Sequence, residues 1–290
     1  MAKKRLPRGV DRGILAAEQM RRLNTYLWVM LAFLVALGVA IIAMPGEGAA
    51  RAVTISGALA ASSAVAGFFV VRAFRATRRR HDLRGTWVLF SLGALAWFAG
   101  EAYTFYNVAW RDVYMSYPSF ADLSWGAGAA FVIAALALKI ARRPARVSGQ
   151  AVAGALATAG LAFLLAVHFV ILPALRNPGL TPGDRLADVF LAAANFALGA
   201  LALVVIAVYG GRGMGRPWAQ LALGLIFYAA GNAIHWHLTE AGLYGPAGNV
   251  VTVLFWSAGY LLVGMGAYYR RLVIKGVVKF SAAESEPPSV

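Results

Sequence analysis

A glutamate, two aspartates, an asparagine and two histidines interrupt runs of apolar sequence in this chain, and they are where chemistry would be done. Glu101, Asp122, Asp188, Asn232, His168 and His235 all lie within or at the start of such runs. An ionisable group costs several kcal/mol in hydrocarbon, so each marks a ligand path, a proton relay or a buried helix contact. Trp97, Glu101 and Phe105 recur at i, i+4 and i+8 and share one helical face, and Asn232, His235 and Trp236 share another. Glu101 has no local explanation. A carboxyl in mid-helix is either a site group or a protonated, hydrogen-bonded contact between helices.

Asp122 has two readings. Ser119-Phe120-Ala121-Asp122 fits a capping box, with Ser119 at the N-cap and Asp122 bonding back to it; the same carboxyl is also placed to line a site. Thr181-Pro182-Gly183-Asp184 predicts an equivalent cap with Pro182 at the first helical position, which leaves Asp188 one turn deeper with no capping duty. His235 and His237 point about 200° apart on a helix and make a poor chelator. His168 and His235 are predicted at similar depth and are the weak candidates for a metal or haem; the residues name no cofactor. Trp97, Trp125 and Trp236 would be the aromatic walls of a pocket lined by Glu101, Asp122, Trp125, Asp188, Asn232 and His235.

The elements that hold these residues are membrane spans. Of 290 residues, 60% are hydrophobic and 13% charged, against nearer a quarter charged in soluble domains. A helix needs about 20 apolar residues to cross the hydrocarbon. Eight stretches qualify: Tyr26–Met44, Ala52–Phe74, Thr86–Asn107, Phe120–Ile140, Ala151–Leu175, Leu186–Tyr209, Trp218–Glu240 and Val250–Tyr269. The prediction is an all-α polytopic membrane protein with a basic cytoplasmic tail over 1–25, an eight-helix domain over 26–269 and a disordered cytoplasmic tail over 270–290. No signal-peptide cleavage site stands out, so the first span is read as retained. There is no cysteine, which excludes disulfides and thiolate sites.

The net charge of +15 would suggest nucleic acid in a soluble protein, but here it follows topology. The N-terminal tail, the second, fourth and sixth connections and the C-terminal tail hold 23 of the 27 Lys and Arg; only Arg51, Arg111, Arg176 and Arg185 fall on the other side. Basic residues stay cytoplasmic during insertion, which places both termini inside. The basic runs Lys3-Lys4-Arg5 and Arg78-Arg79-Arg80 are retention signals that also suit anionic lipid. Every lysine lies at or beyond a cytoplasmic helix end, which disfavours retinal. Gly210-Gly211-Arg212-Gly213-Met214-Gly215 lacks the Lys-Ser/Thr of a phosphate loop and is read as a turn. Tyr26, Trp110, Tyr114, Tyr117, Tyr244 and Tyr269 are read as an aromatic belt at the interfaces. In this topology Glu101, His168 and Asn232 lie roughly 10–12 Å from the outer ends of their helices, and Asp122 and Asp188 near outer starts. The polar residues form one outward-facing layer.

An offset of 131 residues aligns Gly100 with Gly231, Trp125 with Trp256 and Gly128 with Gly259, and predicts a repeated helical hairpin, the third and fourth spans matching the seventh and eighth. Ala187-Asp188 echoes Ala121-Asp122 in the same way.

Gly100-Glu101-Ala102-Tyr103 followed by Tyr117-Pro118-Ser119-Phe120-Ala121-Asp122-Leu123-Ser124-Trp125 resembles the multi-helix membrane regions that precede diguanylate cyclase, phosphodiesterase or histidine kinase domains in bacterial signalling proteins. The resemblance covers about residues 86–140 and, loosely, 186–269. It implies a sensory role in a bacterial inner membrane, with Glu101, Pro118, Ser119, Asp122 and Trp125 at the matching positions. The last residues, from Ser281 to Val290, read as a tail without an output domain, so a signal is expected to pass to a separate cytoplasmic partner. The expected function is a non-enzymatic sensor-like membrane protein that binds no nucleic acid. The alternatives are a small-molecule transporter and a metal-dependent intramembrane hydrolase.

Overall fold

The computed structural model of the chain describes residues 12–44, 48–77, 81–111, 118–142, 149–177, 179–209, 215–240, 242 and 246–274. The basic runs at 3–5 and 78–80, the glycine-rich stretch 210–214, Tyr114, Tyr117, Tyr244 and the tail beyond 274 lie outside the described residues.

The described residues are helical almost throughout. The helices are α1 (Arg12–Ala43), α2 (Ala49–Thr77), α3 (His81–Tyr106), α4 (Phe120–Ala141), α5 (Gly149–Ala166), α6 (Leu172–Arg176), α7 (Pro182–Tyr209), α8 (Arg216–Glu240) and α9 (Pro246–Ile274), with π-turns at Asn107–Arg111 and Val167–Ile171. A helix satisfies its own backbone, which is why apolar runs bound for lipid take this form. Six of them, α1, α2, α3, α4, α7 and α9, are long and apolar enough to cross a bilayer. The chain is thus a multi-pass membrane protein by composition and length. Two predicted spans differ. The seventh is α8, whose apolar character is diluted by Gln220, Asn232, His235 and His237. The fifth is divided into α5, a π-turn and α6.

The first and last helices extend beyond their apolar runs. α1 begins at Arg12 rather than near Tyr26, and α9 runs to Ile274. No glycine or proline separates Leu15 from Tyr26, and Arg22 pairs with Glu18 one turn earlier, so good helix formers carry the helix past the apolar run.

Six helices close a ring in the order α2, α3, α4, α7, α8, α9, and α9 returns to α2. α1 packs outside on α9, where the Tyr26 hydroxyl donates to the Leu261 carbonyl at 3.0 Å, and α5 packs outside on α7. Tyr26 and the buried Tyr269 thus serve helix packing, whereas Trp110 is exposed as a belt residue would be. The core is filled from all six ring helices, with Val70, Trp87, Phe90, Trp97, Val132, Leu198, Trp218, Leu225 and Tyr260 among its members.

Packing repeats at the offset of 131. A Cβ at Gly93 would fall 2.9 Å from the Gly128 carbonyl, and one at Gly224 would fall 2.7 Å from the Gly259 carbonyl. A Cβ at Gly100 would strike the Trp125 indole at 2.6 Å, and one at Gly231 the Trp256 indole at 2.8 Å. Gly128 is closed over by Trp97, and Gly259 by Tyr228, which stands at the same offset from it. Lipid-exposed helices gain nothing from apolar burial against one another, so close backbone approach through small residues is what joins α3 to α4 and α8 to α9. The related aromatic pairs also meet across the ring's centre: Trp87 and Trp218 have centroids 5.5 Å apart, and Trp97 and Tyr228 4.8 Å. The matching unit is therefore wider than a hairpin. α7 takes the place of α2, packing on α8 and α4 as α2 packs on α3 and α9. The echo of Ala121-Asp122 in Ala187-Asp188 is not a structural match, since α9 and not α7 corresponds to α4.

Candidate functional site

The ring is plugged at one end and hollow at the other. At the plugged end the Lys139 ammonium lies over the rings of Tyr209 and Trp218, at 4.4 and 4.7 Å, and the Tyr209 hydroxyl donates to the Lys139 carbonyl at 3.0 Å. Arg72, Arg142, Arg216 and Arg270 belong to the helix ends on this side. At the other end, α3, α4, α7 and α8, with part of α2 and Trp256 of α9, line an open cavity of about 760 Å³, within the range of sites that hold small molecules.

Its floor is aromatic. Trp97, Tyr228 and Tyr260 contact one another, with centroid separations of 4.8, 5.3 and 5.9 Å. Glu101 stands one turn above Trp97 on α3 and is only 5% exposed. The Tyr260 hydroxyl, from α9, donates to Glu101 Oε1 at 2.8 Å, and the Trp125 indole is close enough to interact with the same carboxyl. Buried carboxyls need such donors. Tyr228 interacts with both Tyr260 and Asn232. The Asn232 amide donates to Asn195 Oδ1 at 3.0 Å and to the Tyr228 carbonyl at 3.1 Å. Polar groups thus run from Glu101 on α3 past the two tyrosines to Asn232 on α8 and Asn195 on α7.

All six residues expected to line a pocket line this one: Glu101, Asp122, Trp125, Asp188, Asn232 and His235. Asp122 does so while capping α4. Its Oδ2 accepts from the Ser119 amide and hydroxyl, each at 2.7 Å, and the Ser119 Oγ accepts from the Ala121 amide. The reciprocal pair at Thr181 and Asp184, both contacts at 3.2 Å, caps α7 as the sequence predicts and leaves Asp188 a turn further in. The His235 ring lies 5.3 Å from that of Trp256, and Trp236 completes the wall.

Two expectations are corrected. Trp97 is not a wall. It lies within the floor, 2% exposed, because Gly128 leaves room for its indole between α3 and α4, where its N–H donates to the Trp125 carbonyl at 3.2 Å. His168 does not line the cavity with His235; it sits exposed on the π-turn after α5. His237 is exposed on the far side of α8 from His235, in line with the helical angle between them. Among the described residues no three His, Asp or Glu side chains gather to hold a metal ion, which leaves the hydrolase alternative without a metal centre there.

Asn195, Tyr228, Tyr260, Trp256 and Thr104 were not predicted as site residues. Three carried a usable signal. Asn195 is seven residues after Asp188 and so on the same helix face. Tyr228 and Trp256 are the partners of Trp97 and Trp125 at the offset of 131. Tyr260 has no such trace, because the corresponding residue is Ala129. Comparison with protein-family models, curated proteins and solved structures finds no match, so the cavity's own chemistry carries the functional reading.

Proposed function

We propose that the chain is an eight-span protein of a bacterial inner membrane that receives a small molecule in this cavity and relays its binding to a cytoplasmic partner. The observation that carries the reading is the gathering of Glu101, Asp122, Asp188, Asn232 and His235, with tryptophan walls, at one end of a bundle most of whose arginines collect at the other. Membrane insertion retains the basic end inside, so the cavity faces out. α8 completes the ring between α7 and α9 and crosses with them. The run from Gly149 to Arg176 adds the eighth crossing, and an even number returns both termini to the cytoplasm. The offset in packing is that of a duplicated unit, in which α2–α4 and α7–α9 are copies.

A ligand held by α3, α4, α7 and α8 touches both copies at once. Its contacts would favour one relative placement of the copies over another, which is how binding energy becomes a conformational signal. Trp97 and Tyr228, directly below, and Trp87 and Trp218 further down connect the copies along α3 and α8 toward the basic end. The resemblance of residues 86–140 to bacterial sensory membrane regions agrees with such a relay.

The test is thermal unfolding of the full chain in mild detergent across a library of anionic, neutral and cationic small molecules. At least one class should raise the midpoint, and the rise should vanish in Thr104→Trp, which fills the cavity, and weaken in Glu101→Gln. If no compound stabilises the protein, or if both variants respond as the parent does, the receptor reading is wrong.

A further inference from the structure

We infer that the cavity takes a small organic cation, a molecule bearing a substituted ammonium group, seated against Glu101. The inference rests on the receptor reading above and adds the ligand's class.

The chain has 27 Lys and Arg against 12 Asp and Glu, yet the cavity lining has the opposite balance. Glu101, Asp122 and Asp188 reach it from three different helices, and among the described residues no Lys or Arg lines it. Glu101 is the most demanding of the three. It is 5% exposed, and the groups around it, the Tyr260 hydroxyl that donates at 2.8 Å and the nearby Trp125 indole, are neutral. Neutral groups orient a carboxyl without supplying a counter-charge, and its ionised form is costly at that depth until one arrives. A bound cation supplies it.

The rest of the lining favours an organic cation over a metal ion. Trp125, Tyr228, Trp236 and Trp256 contribute four aromatic rings. Aromatic rings attract alkylated ammonium groups, which shed water readily, by cation–π interaction. A hard metal ion would instead need several oxygen ligands close together, and among the described residues no such group of three exists. Asn195 and Asn232 stand opposite, bonded to each other at 3.0 Å, and offer amides for the polar remainder of the molecule. At about 760 Å³ the space exceeds a bare ammonium head, so choline is a minimal probe rather than the expected natural ligand.

The experiment titrates the full chain in mild detergent with choline and with its uncharged isostere 3,3-dimethylbutan-1-ol, following tryptophan fluorescence. Choline should titrate saturably and bind roughly ten-fold or more tighter than the isostere. Glu101→Gln should abolish that preference, and Trp236→Leu should weaken choline binding by a similar factor. If Glu101→Gln does not fold, the isostere comparison and Trp236→Leu decide the matter. Equal binding of the two probes, or a preference that survives in Glu101→Gln, overturns the inference. A neutral or anionic compound that stabilises the parent but not Thr104→Trp, with no response to choline, overturns the cation class and leaves the receptor. Silence from probes of every charge overturns both.

Discussion

The two halves of the ring pack alike and differ in their polar residues. In α3–α4 and in α8–α9, glycines at equivalent positions bring backbone to backbone, and an indole lies against the glycine that precedes the polar residue. That polar residue is Glu101 in one half and Asn232 in the other. The first is answered by Tyr260, whose counterpart at the same offset is Ala129; the second is answered by Asn195. The first half's α4 begins with a capping box at Ser119 and Asp122, whereas Val250 and Val253 stand at the equivalent positions of α9. The lesson is that close helix packing in a membrane tolerates little variation, because it depends on the absence of atoms. The groups above the packed layer are free to differ, and their difference gives the cavity a charged side and an amide side.

The comparison can be broken most severely at its shared aromatic layer. Trp97→Ala removes a fully enclosed indole and should cost about 3–5 kcal/mol, measured by unfolding in mixed micelles. A cost below about 1 kcal/mol would mean the floor is not a packed unit. Next, Gly93→Val and Gly224→Val should each cost about 1–3 kcal/mol or more, since the new atoms meet backbone rather than a flexible side chain. Similar losses would sharpen the equivalence of the two interfaces, and tolerance at either one would break it. Tyr260→Phe should remove about 1.5–3 kcal/mol if the hydrogen bond is to a charged carboxylate. It should also alter ligand response, whereas Asn195→Ala, the matching change on the amide side, should cost only about 1 kcal/mol. Ser119→Ala should cost about 1 kcal/mol through loss of the cap, without a counterpart in the second half. The smallest effect belongs to His237→Ala, within about 0.5 kcal/mol. By contrast, His235→Ala should change the ligand-dependent midpoint.

Much of the candidate site was legible because membrane sequence leaves few polar residues to choose among. Each of Glu101, Asp122, Asp188, Asn232 and His235 stood out against apolar neighbours, and helical depth placed them in one layer. Depth is a one-dimensional property, though, and it also admitted His168, which lies exposed outside the cavity. Trp97 was placed on the correct face of α3 but not within the floor, because only the approach of Gly128 shows that the indole is enclosed. Tyrosines were the least legible. A tyrosine in an apolar run reads as a belt residue, and nothing local shows that Tyr260 reaches across the ring to Glu101.

The sequence by itself determined that the chain is a set of membrane helices, which end collects the basic residues, where α4 and α7 are capped and that two segments repeat at 131. These follow from composition, charge and spacing along the chain, all of which act locally or during insertion. Only the tertiary structure decided that α7 corresponds to α2 and that six helices close a ring with α1 and α5 outside it. It also decided that Tyr260 and Asn195 complete the polar path. Those outcomes depend on which helix faces meet, and in lipid that choice is made by small-residue contacts and interhelical hydrogen bonds between residues far apart in the chain.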